Sequence, residues 1–492
     1  MTHDHLEIRS KDHRLYNADL APIPHRERKW GAFEIFNVWN NDIQSLFGYT
    51  LAASLFISHG LNGWWTFTAI VLAGFIVMIL VNLTGKPSVR YGIPYAVMAR
   101  VSMGVQGAKF PALVRGVVAI FWYGVQTYFA STAVALLLRA VFGLDAGGTG
   151  FLGMSGVEWL SYFIVCALQL VVFSMGIEWV GRFLNWAGPF VYLVMIVLMI
   201  AIWWKAGSGL LTELGNIFQG NDEASTRGPV AAFFAITGTM IAYFAAVVIN
   251  FGDFSRFVKS ERQMMIGNFW GLPVSIAIFS FIALMITAGT VVLFGERLVN
   301  PADIVERVDN IWLTVIAAFT FFAATISINL VANFIPAAYD LANLYPSRIS
   351  ARTGGYLTAT IAFFIGALWV SVISKIGIAS FVDTLGAALA PLYGILVADY
   401  YILRKRRINL QDLFSSQAGG NYHYVKGWNK TAIMAFGIAA LFSVSTVWIP
   451  ALEAMSGFGW MIGALLGGVL HVALMRRFEE VETGSNGVSD FH

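Results

Sequence analysis

Of the 492 residues, 58% are hydrophobic and only 12% are charged; soluble domains run to roughly a quarter charged, so a string of them is excluded. A net charge of +3 is too small to point to nucleic acid, and the single cysteine, Cys166, excludes a disulfide framework. What remains is an all-α integral membrane protein.

Residues 1–30 are polar and charged, with no apolar run that would serve as a signal peptide, and read as a solvated tail. Its histidines, His3, His5, His13 and His25, fit no metal-ligand spacing. A spanning helix takes about 20 apolar residues to cross roughly 30 Å of hydrocarbon. Such runs lie near 35–58, 64–84, 116–138, 159–177, 183–204, 229–251, 265–294, 311–339, 355–374, 376–398, 431–451 and 455–475, which predicts twelve transmembrane helices. Of the 31 Lys and Arg, 25 fall on the side of the N-terminus, 6 on the other and none inside a span. By the positive-inside rule both termini face the cytoplasm.

Three spans depart from plain apolar helices. The first carries Asn40-Asn41-Asp42 and Gln44 ahead of Gly48, the sixth has Gly238 within it and ends in Asn250-Phe251-Gly252-Asp253, and the eighth holds Ser327, Asn329, Asn333 and Pro336. Polar groups and broken backbone are tolerated at membrane depth only around a protein-enclosed cavity. Irregular helices at matching places in two halves point to a transporter site at the midplane. Spans one and six are five apart, which predicts two five-helix repeats of opposite topology, residues 31–205 and 229–400. A cytoplasmic loop with helices 11–12 (401–477) and a cytoplasmic tail (478–492) follow.

Several stretches resemble the nucleobase–cation symporter-1 family, whose members carry hydantoins, allantoin, uracil, cytosine and purines. They are YGIPYAVMARVSMGVQGAKFPALVRGVVAIFWYGVQT (91–127), NFGDFSRFVKS (250–260), SINLVANFIPAAYDL (327–341) and APLYGILVADYYILRKRRINLQDLF (390–414). The resemblance implies the five-plus-five inverted repeat of the leucine transporter with two added helices. It also implies a bacterial inner-membrane symporter that imports a small planar N-heterocycle by alternating access.

Trp122 and Gln126 are four apart and share a helical face. An indole offers a flat surface for a ring, and an amide both donates and accepts hydrogen bonds; the other reading is a core tryptophan beside an amide that bonds across helices. The two match the family's substrate-holding tryptophan and glutamine. Asn333 falls at its substrate-binding asparagine. Asn329, one turn earlier, suits either the same site or interhelical bonding. The family's second stacking tryptophan aligns with Phe244, next to Tyr243, and Gln44 is a further polar candidate from the first span.

For the coupling ion, the resemblance places sodium at Asn40, Ile43, Ala324 and Ser327, but the family's second hydroxyl position holds Ile328. A hard cation wants about six oxygens, so this loss disfavours sodium. Asp42 is the alternative: an intramembrane carboxylate is a functional candidate by default, here as acceptor of a coupling proton, unless it only bonds free amides at a helix break. Asp383 is a weaker candidate. No cofactor is expected, and no obligate protein partner beyond the bilayer is implied.

The glycines of GTGFLG (148–153) lack a βαβ context, Arg404-Lys405-Arg406-Arg407 is read as a topology signal, and no H-E-x-x-H, G-x-S-x-G or paired-cysteine motif occurs. An enzyme is therefore not expected. The reading is a proton-coupled importer of uracil or a related cyclic ureide (allantoin, hydantoin, dihydropyrimidine). The alternatives are a sodium-coupled cytosine or purine permease and, from other classes, a passive channel or a transport-like sensor.

Overall fold

The computed structural model describes residues 8, 12–58, 60–144, 147–148, 150–175, 177–219, 228–308, 310–455 and 457–486; His3, His5, Arg227 and residues 487–492 of the expected tails fall outside them. Among the described residues every regular element is helical, with two isolated β-bridges, Trp30 with Val258 and Val425 with Trp428.

The first predicted span is two short helices, α1 (Ala32–Ile43) and α2 (Leu46–Ser58). Spans two to five are α3 (Gly63–Tyr91), α5 (Lys109–Phe142), α6 (Gly156–Ser174) and α7 (Ile177–Ala206), with the short α4 (Tyr95–Met103) between α3 and α5. After α8 (Gly209–Gln219), span six is α9 (Pro229–Asn250), followed by the single turn α10 (Gly252–Ser255). Span seven runs through α11 (Glu261–Phe269), a π-helical turn (Trp270–Val274) and α12 (Ser275–Phe294). Beyond α13 (Pro301–Val308), span eight joins α14 (Ile311–Ile328) to α15 (Ile335–Leu344) through a second π segment, Asn329–Phe334. The remaining spans are α16 (Ala351–Ala367), α17 (Ile378–Ala398), α18 (Lys430–Trp448) and α19 (Gly459–Asn486). Ten of these segments are long and apolar enough to cross a membrane; the broken first span and the 17-residue α16 take the other two predicted places.

Burial ranks the spans. Over its most apolar window α9 is 89% buried and α6 only 22%, so α9 runs through the middle of the bundle and α6 along its rim. Large apolar side chains such as Trp204, Trp312, Leu441 and Leu465 face outward, as a helix in lipid requires. The end of the bundle is packed through α19. A Cβ on Gly238 would lie 1.5 Å from the carbonyl oxygen of Gly457, and one on Gly394 would lie 1.8 Å from that of Ala464, so both are close-approach glycines.

Two expectations need correction. Span six is not interrupted: α9 is continuous through Gly238, because that glycine admits the main chain of Gly457 in the turn before α19 rather than marking a break. Nor are all basic residues outside the spans. Helix α5 begins at Lys109 and so includes Arg115, fully buried; its Nε donates to Ala246 O (3.1 Å) in α9 and its Nη2 to Ala332 O (3.0 Å) in the π segment.

Residues 12–30 form a strap across one end of the bundle. Asn17 Nδ2 donates to Pro346 O (3.0 Å), Asp19 Oδ2 accepts from Ala351 N (3.0 Å), Ile23 N donates to Gly92 O (2.9 Å) and Trp30 N to Phe257 O (3.0 Å). Gly92 has φ +71, and a Cβ there would lie 2.5 Å from Ile23 O, so the strap is laid on a position made for glycine. At the far end Asp12 accepts from Ser416 and Arg14. Burial opposes the charge on Asp12, but the bonds from Ser416 and Arg14 outweigh it and hold the carboxyl down to about 2. A carboxyl lowered in the folded state stabilises docking above its ordinary range near 3.8 and loses that contribution as pH falls toward 2. Hydrogen exchange of residues 12–20 should therefore stay slow down to about pH 4, and Asp12→Asn should speed it already at neutral pH. Equal protection in Asp12→Asn would show that the strap is held without this carboxylate.

Candidate functional site

The break in span one starts from its own sequence. Asn37, Asn40, Asn41 and Asp42 all carry side chains that compete for backbone groups and weaken a helix interior. Asn41 Nδ2 returns to Asn37 O (2.8 Å), Gln44 Nε2 donates to Asn40 Oδ1 (3.1 Å), and the helix stops at Ile43. The freed groups are taken up by neighbours. Leu46 N donates to Thr325 Oγ1 of α14 (3.2 Å), and Gly48 N donates to Ser45 Oγ (3.0 Å). From α9 the Tyr243 hydroxyl meets both Asp42 O (2.9 Å) and Asp42 Oδ1 (3.0 Å), with Ser45 Oγ at 3.3 Å. A Cβ on Gly48 would lie 2.8 Å from Ile43 O and 3.0 Å from the Tyr243 hydroxyl, so glycine lets the second half-helix begin this close beneath the first.

Around that break lies an aromatic cage. Trp122 stands edge-on to Phe47 (centroids 5.0 Å), Phe381 (5.3 Å) and Tyr243 (5.7 Å), and Phe47 and Tyr243 are parallel within 10° at 6.0 Å. Trp369 closes on Phe381 and Phe129. Gln126, one turn from Trp122, is buried, and its Oε1 has no protein partner. Thus Trp122, Tyr243 and Asp42 are brought together from α5, α9 and the break, with Gln126 one turn from Trp122 on α5, while Gln44 turns back to Asn40. Phe244 touches the Tyr243 ring (4.8 Å) but is turned about 100° around α9 from it and is fully buried against Trp39 (6.0 Å) rather than Trp122.

The π segment of span eight packs against α5 on the Tyr123 and Thr127 side, and such wide turns recur at functional sites. Asn333 Nδ2 donates to Asn329 Oδ1 (3.0 Å). Asn329 Nδ2 in turn faces Tyr123 O (3.1 Å), Thr127 Oγ1 (3.1 Å) and Gln169 Oε1 (2.9 Å). Asn329 therefore supports Asn333 from behind, and the chain of amides ends on the residue after Trp122.

Asn40, Ile43, Ala324 and Ser327 are all buried where α1 packs on α14. Ser327 Oγ donates toward Asn41 Oδ1 (2.7 Å) and Ala324 O (2.8 Å), and Ile328 brings no oxygen. Asp383, the weaker candidate, accepts from Thr239 Oγ1 (3.2 Å) between α17 and α9. Among the described residues no group of three or more His, Cys, Asp or Glu stands ready for a metal ion. Sequence reasoning missed Phe47, Phe381, Ser45, Thr127 and Gln169. Of these only Gln169, a polar residue in mid-span, carried a signal that could have marked it.

The model of the family of permeases for cytosine/purines, uracil, thiamine and allantoin matches residues 22–463. The allantoin permease of Bacillus subtilis (strain 168) is 34% identical over 477 residues, covering 96% of this chain and 95% of that protein. A putative allantoin permease of Escherichia coli (strain K12) is 29% identical, covering 96% and 97%. Among solved structures, Mhp1, a nucleobase-cation-symport-1 family transporter in a closed conformation with bromovinylhydantoin bound, superposes with a TM-score of 0.79. It is 24% identical and covers 95% of this chain and 96% of its own. The fold is accordingly the five-plus-five inverted-repeat transporter fold with two added helices, and the chain belongs to the nucleobase–cation symporter-1 family of permeases for cytosine/purines, uracil, thiamine and allantoin.

Proposed function

We propose that this permease is a proton-coupled symporter importing a small planar cyclic ureide, with allantoin, hydantoin and uracil as the types, by alternating access. The observation that carries the reading is the bond of the Tyr243 hydroxyl to Asp42 at the break in span one, with Tyr243 edge-on to Trp122 in an aromatic cage. Trp122 is the platform on which the ring stacks, and Tyr243 rather than Phe244 is the aromatic side chain of α9 that faces it. Gln126 and Asn333 read the polar edge. Stacking tolerates any flat ring while edge hydrogen bonds are strict, so discrimination rests on the two amides. Two allantoin permeases among the relatives support a ureide over cytosine.

Sodium fits these residues poorly. Asn40, Ile43 and Ala324 would have main-chain oxygens for it and Ser327 a hydroxyl oxygen, but the side chain of Ile328 offers none. A hard cation left with so few oxygens binds weakly. The carboxyl of Asp42, buried and in contact with the cage through Tyr243, is placed to carry the coupling proton. The repeats are taken as 31–205 and 229–400, and the excess of Lys and Arg on the side of the N-terminus orients both ends toward the cytoplasm of a bacterial inner membrane.

Uptake of labelled allantoin and uracil into proteoliposomes tests this, with pH and sodium gradients imposed separately. Accumulation driven by a pH gradient in sodium-free buffer is the expected result. Accumulation that needs sodium would overturn the coupling assignment, and no uptake or competition by any ureide would overturn the substrate class.

A further inference from the structure

A groove between α3 and the end of α17 lies at the end of the bundle that carries the strap, outside the cage and the coupling residues. It starts from Pro87. A proline inside a helix has no N–H for the residue four before it, so Leu83 O is left without its helical donor. The Tyr401 hydroxyl donates to it instead (2.9 Å). Tyr401 belongs to the π-helical turn Asp399–Leu403 that follows α17, so this bond lays that turn against the last turns of α3. Between them runs a narrow apolar groove lined by Leu83, Pro87, Leu396, Val397, Tyr400 and Tyr401. Leu83, Val397 and Tyr401 are half-buried at its mouth, and Ile79 and Ile402 beside it face outward. Both helices are spans, so that mouth opens on hydrocarbon.

The basic run that the sequence offers as a topology signal closes one end of the groove. Arg404 N donates to Asp399 O and Arg406 N to Tyr400 O, each at 2.8 Å. Lys405 and Arg406 are both held at positive φ, 49° and 65°, a backbone that residues other than glycine adopt at a cost. This turn sets the Arg406 guanidinium over the Tyr401 ring (5.3 Å), and Arg406 O accepts from Arg90 Nη1 and the Tyr91 hydroxyl, each at 3.4 Å. Lys86 stands one turn before Arg90 and shares its face of α3.

Arg404 is already compensated, since Asp399 pairs with it (3.6 Å) while also meeting His471 (3.1 Å). Lys86, Arg90, Lys405, Arg406 and Arg407 are not: among the described residues none of them stands in an ion pair, and all but Lys86 are exposed. Glu261, exposed at the start of α11, is the one acid whose charge acts on Tyr401, and it pairs with none of these cations. Like charges gathered at one rim repel, and a bound anion relieves them.

We propose that this groove binds an anionic phospholipid of the leaflet on the side of the N-terminus, with its headgroup phosphate on Arg90 and Arg406 and an acyl chain along Leu83, Val397 and Ile402. Basic pockets between spans at the membrane surface suit anionic headgroups, and the arginine fork meets phosphate oxygens two at a time. A soluble anion would use the charges and leave the apolar mouth unused. A zwitterionic lipid would fill the mouth but bring a cation of its own to the arginines. An anionic phospholipid satisfies both parts of the groove.

The test uses the full-length protein in mixed-lipid nanodiscs with phosphatidylglycerol or phosphatidylcholine of the same acyl chains, each carrying a photoreactive diazirine on one chain. Phosphatidylglycerol should label residues 79–87 and 396–402 at least about fivefold more than phosphatidylcholine does. Arg90→Gln and Arg406→Gln should each weaken that labelling about fivefold, the worth of one cation near a charged membrane surface, and leave phosphatidylcholine labelling as it was. Arg348→Gln removes an equal charge from the exposed turn between α15 and α16 and should change it less than about twofold. Equal labelling of the unaltered chain by the two lipids would overturn the proposal. So would an equal loss in Arg348→Gln, which would mark a diffuse surface charge in place of a built site. Glycerol 3-phosphate should not displace the lipid from the unaltered chain, and displacement would reassign the arginines to a soluble anion.

Discussion

Replacing Trp122 with alanine is expected to raise the KM for the transported ring by about 5- to 150-fold, the range that corresponds to roughly 1–3 kcal/mol of ring stacking on an aromatic side chain. Trp122 is buried among Phe47, Phe381 and Tyr243, each near-perpendicular to it, and its indole is the platform proposed for the ring. Trp122→Phe keeps a smaller platform and should fall between. Removal of a buried tryptophan also costs about 3–5 kcal/mol of stability, so initial rates need to be referred to the folded fraction. A folded Trp122→Ala with KM within twofold of the unaltered chain would remove Trp122 from the site.

Asp42→Asn is expected to leave exchange of labelled substrate down its own gradient and to abolish accumulation. Coupling to one proton supports up to about tenfold accumulation per pH unit, since each unit is worth about 1.36 kcal/mol. In the variant that ratio should fall to about one and the pH dependence of uptake should flatten. The substitution is conservative in shape: the amide oxygen of asparagine still accepts from the Tyr243 hydroxyl, which reaches the main-chain oxygen of residue 42 as well. Loss of accumulation with exchange intact therefore reports the lost proton site rather than a collapsed break. Proton-driven accumulation by Asp42→Asn would exclude this carboxyl as the carrier. Asp383, held by Thr239, would then be the next to replace.

Twelve apolar runs of spanning length are a property of composition, because the cost of burying charge in hydrocarbon forces it into the sequence itself. For the same reason Asp42, Gln126, Asn329 and Asn333 stood out, each being polar where polarity is expensive. The break in span one was legible in Asn40-Asn41-Asp42 and Gly48, which local chemistry disfavours in a helix. Gly238 misled for an equally physical reason: a glycine in a span marks a break, a kink or a close helix contact, and only the position of Gly457 on a distant segment decides among them. Arg115 read as a loop residue because the carbonyls of Ala246 and Ala332 that receive it belong to spans far along the chain.

What the sequence by itself determined is the membrane class, the number and order of apolar segments and the polar residues a site must be built from, since all follow from transfer free energies acting residue by residue. Only the tertiary structure decided that Tyr243 and not Phe244 turns to Trp122 and that Gln169 bonds Asn329 behind Asn333. Those depend on helix rotation and on hydrogen-bond partners from three or four different spans, and rotation by a single residue changes a side chain's direction by about 100° without altering the hydropathy of the segment at all.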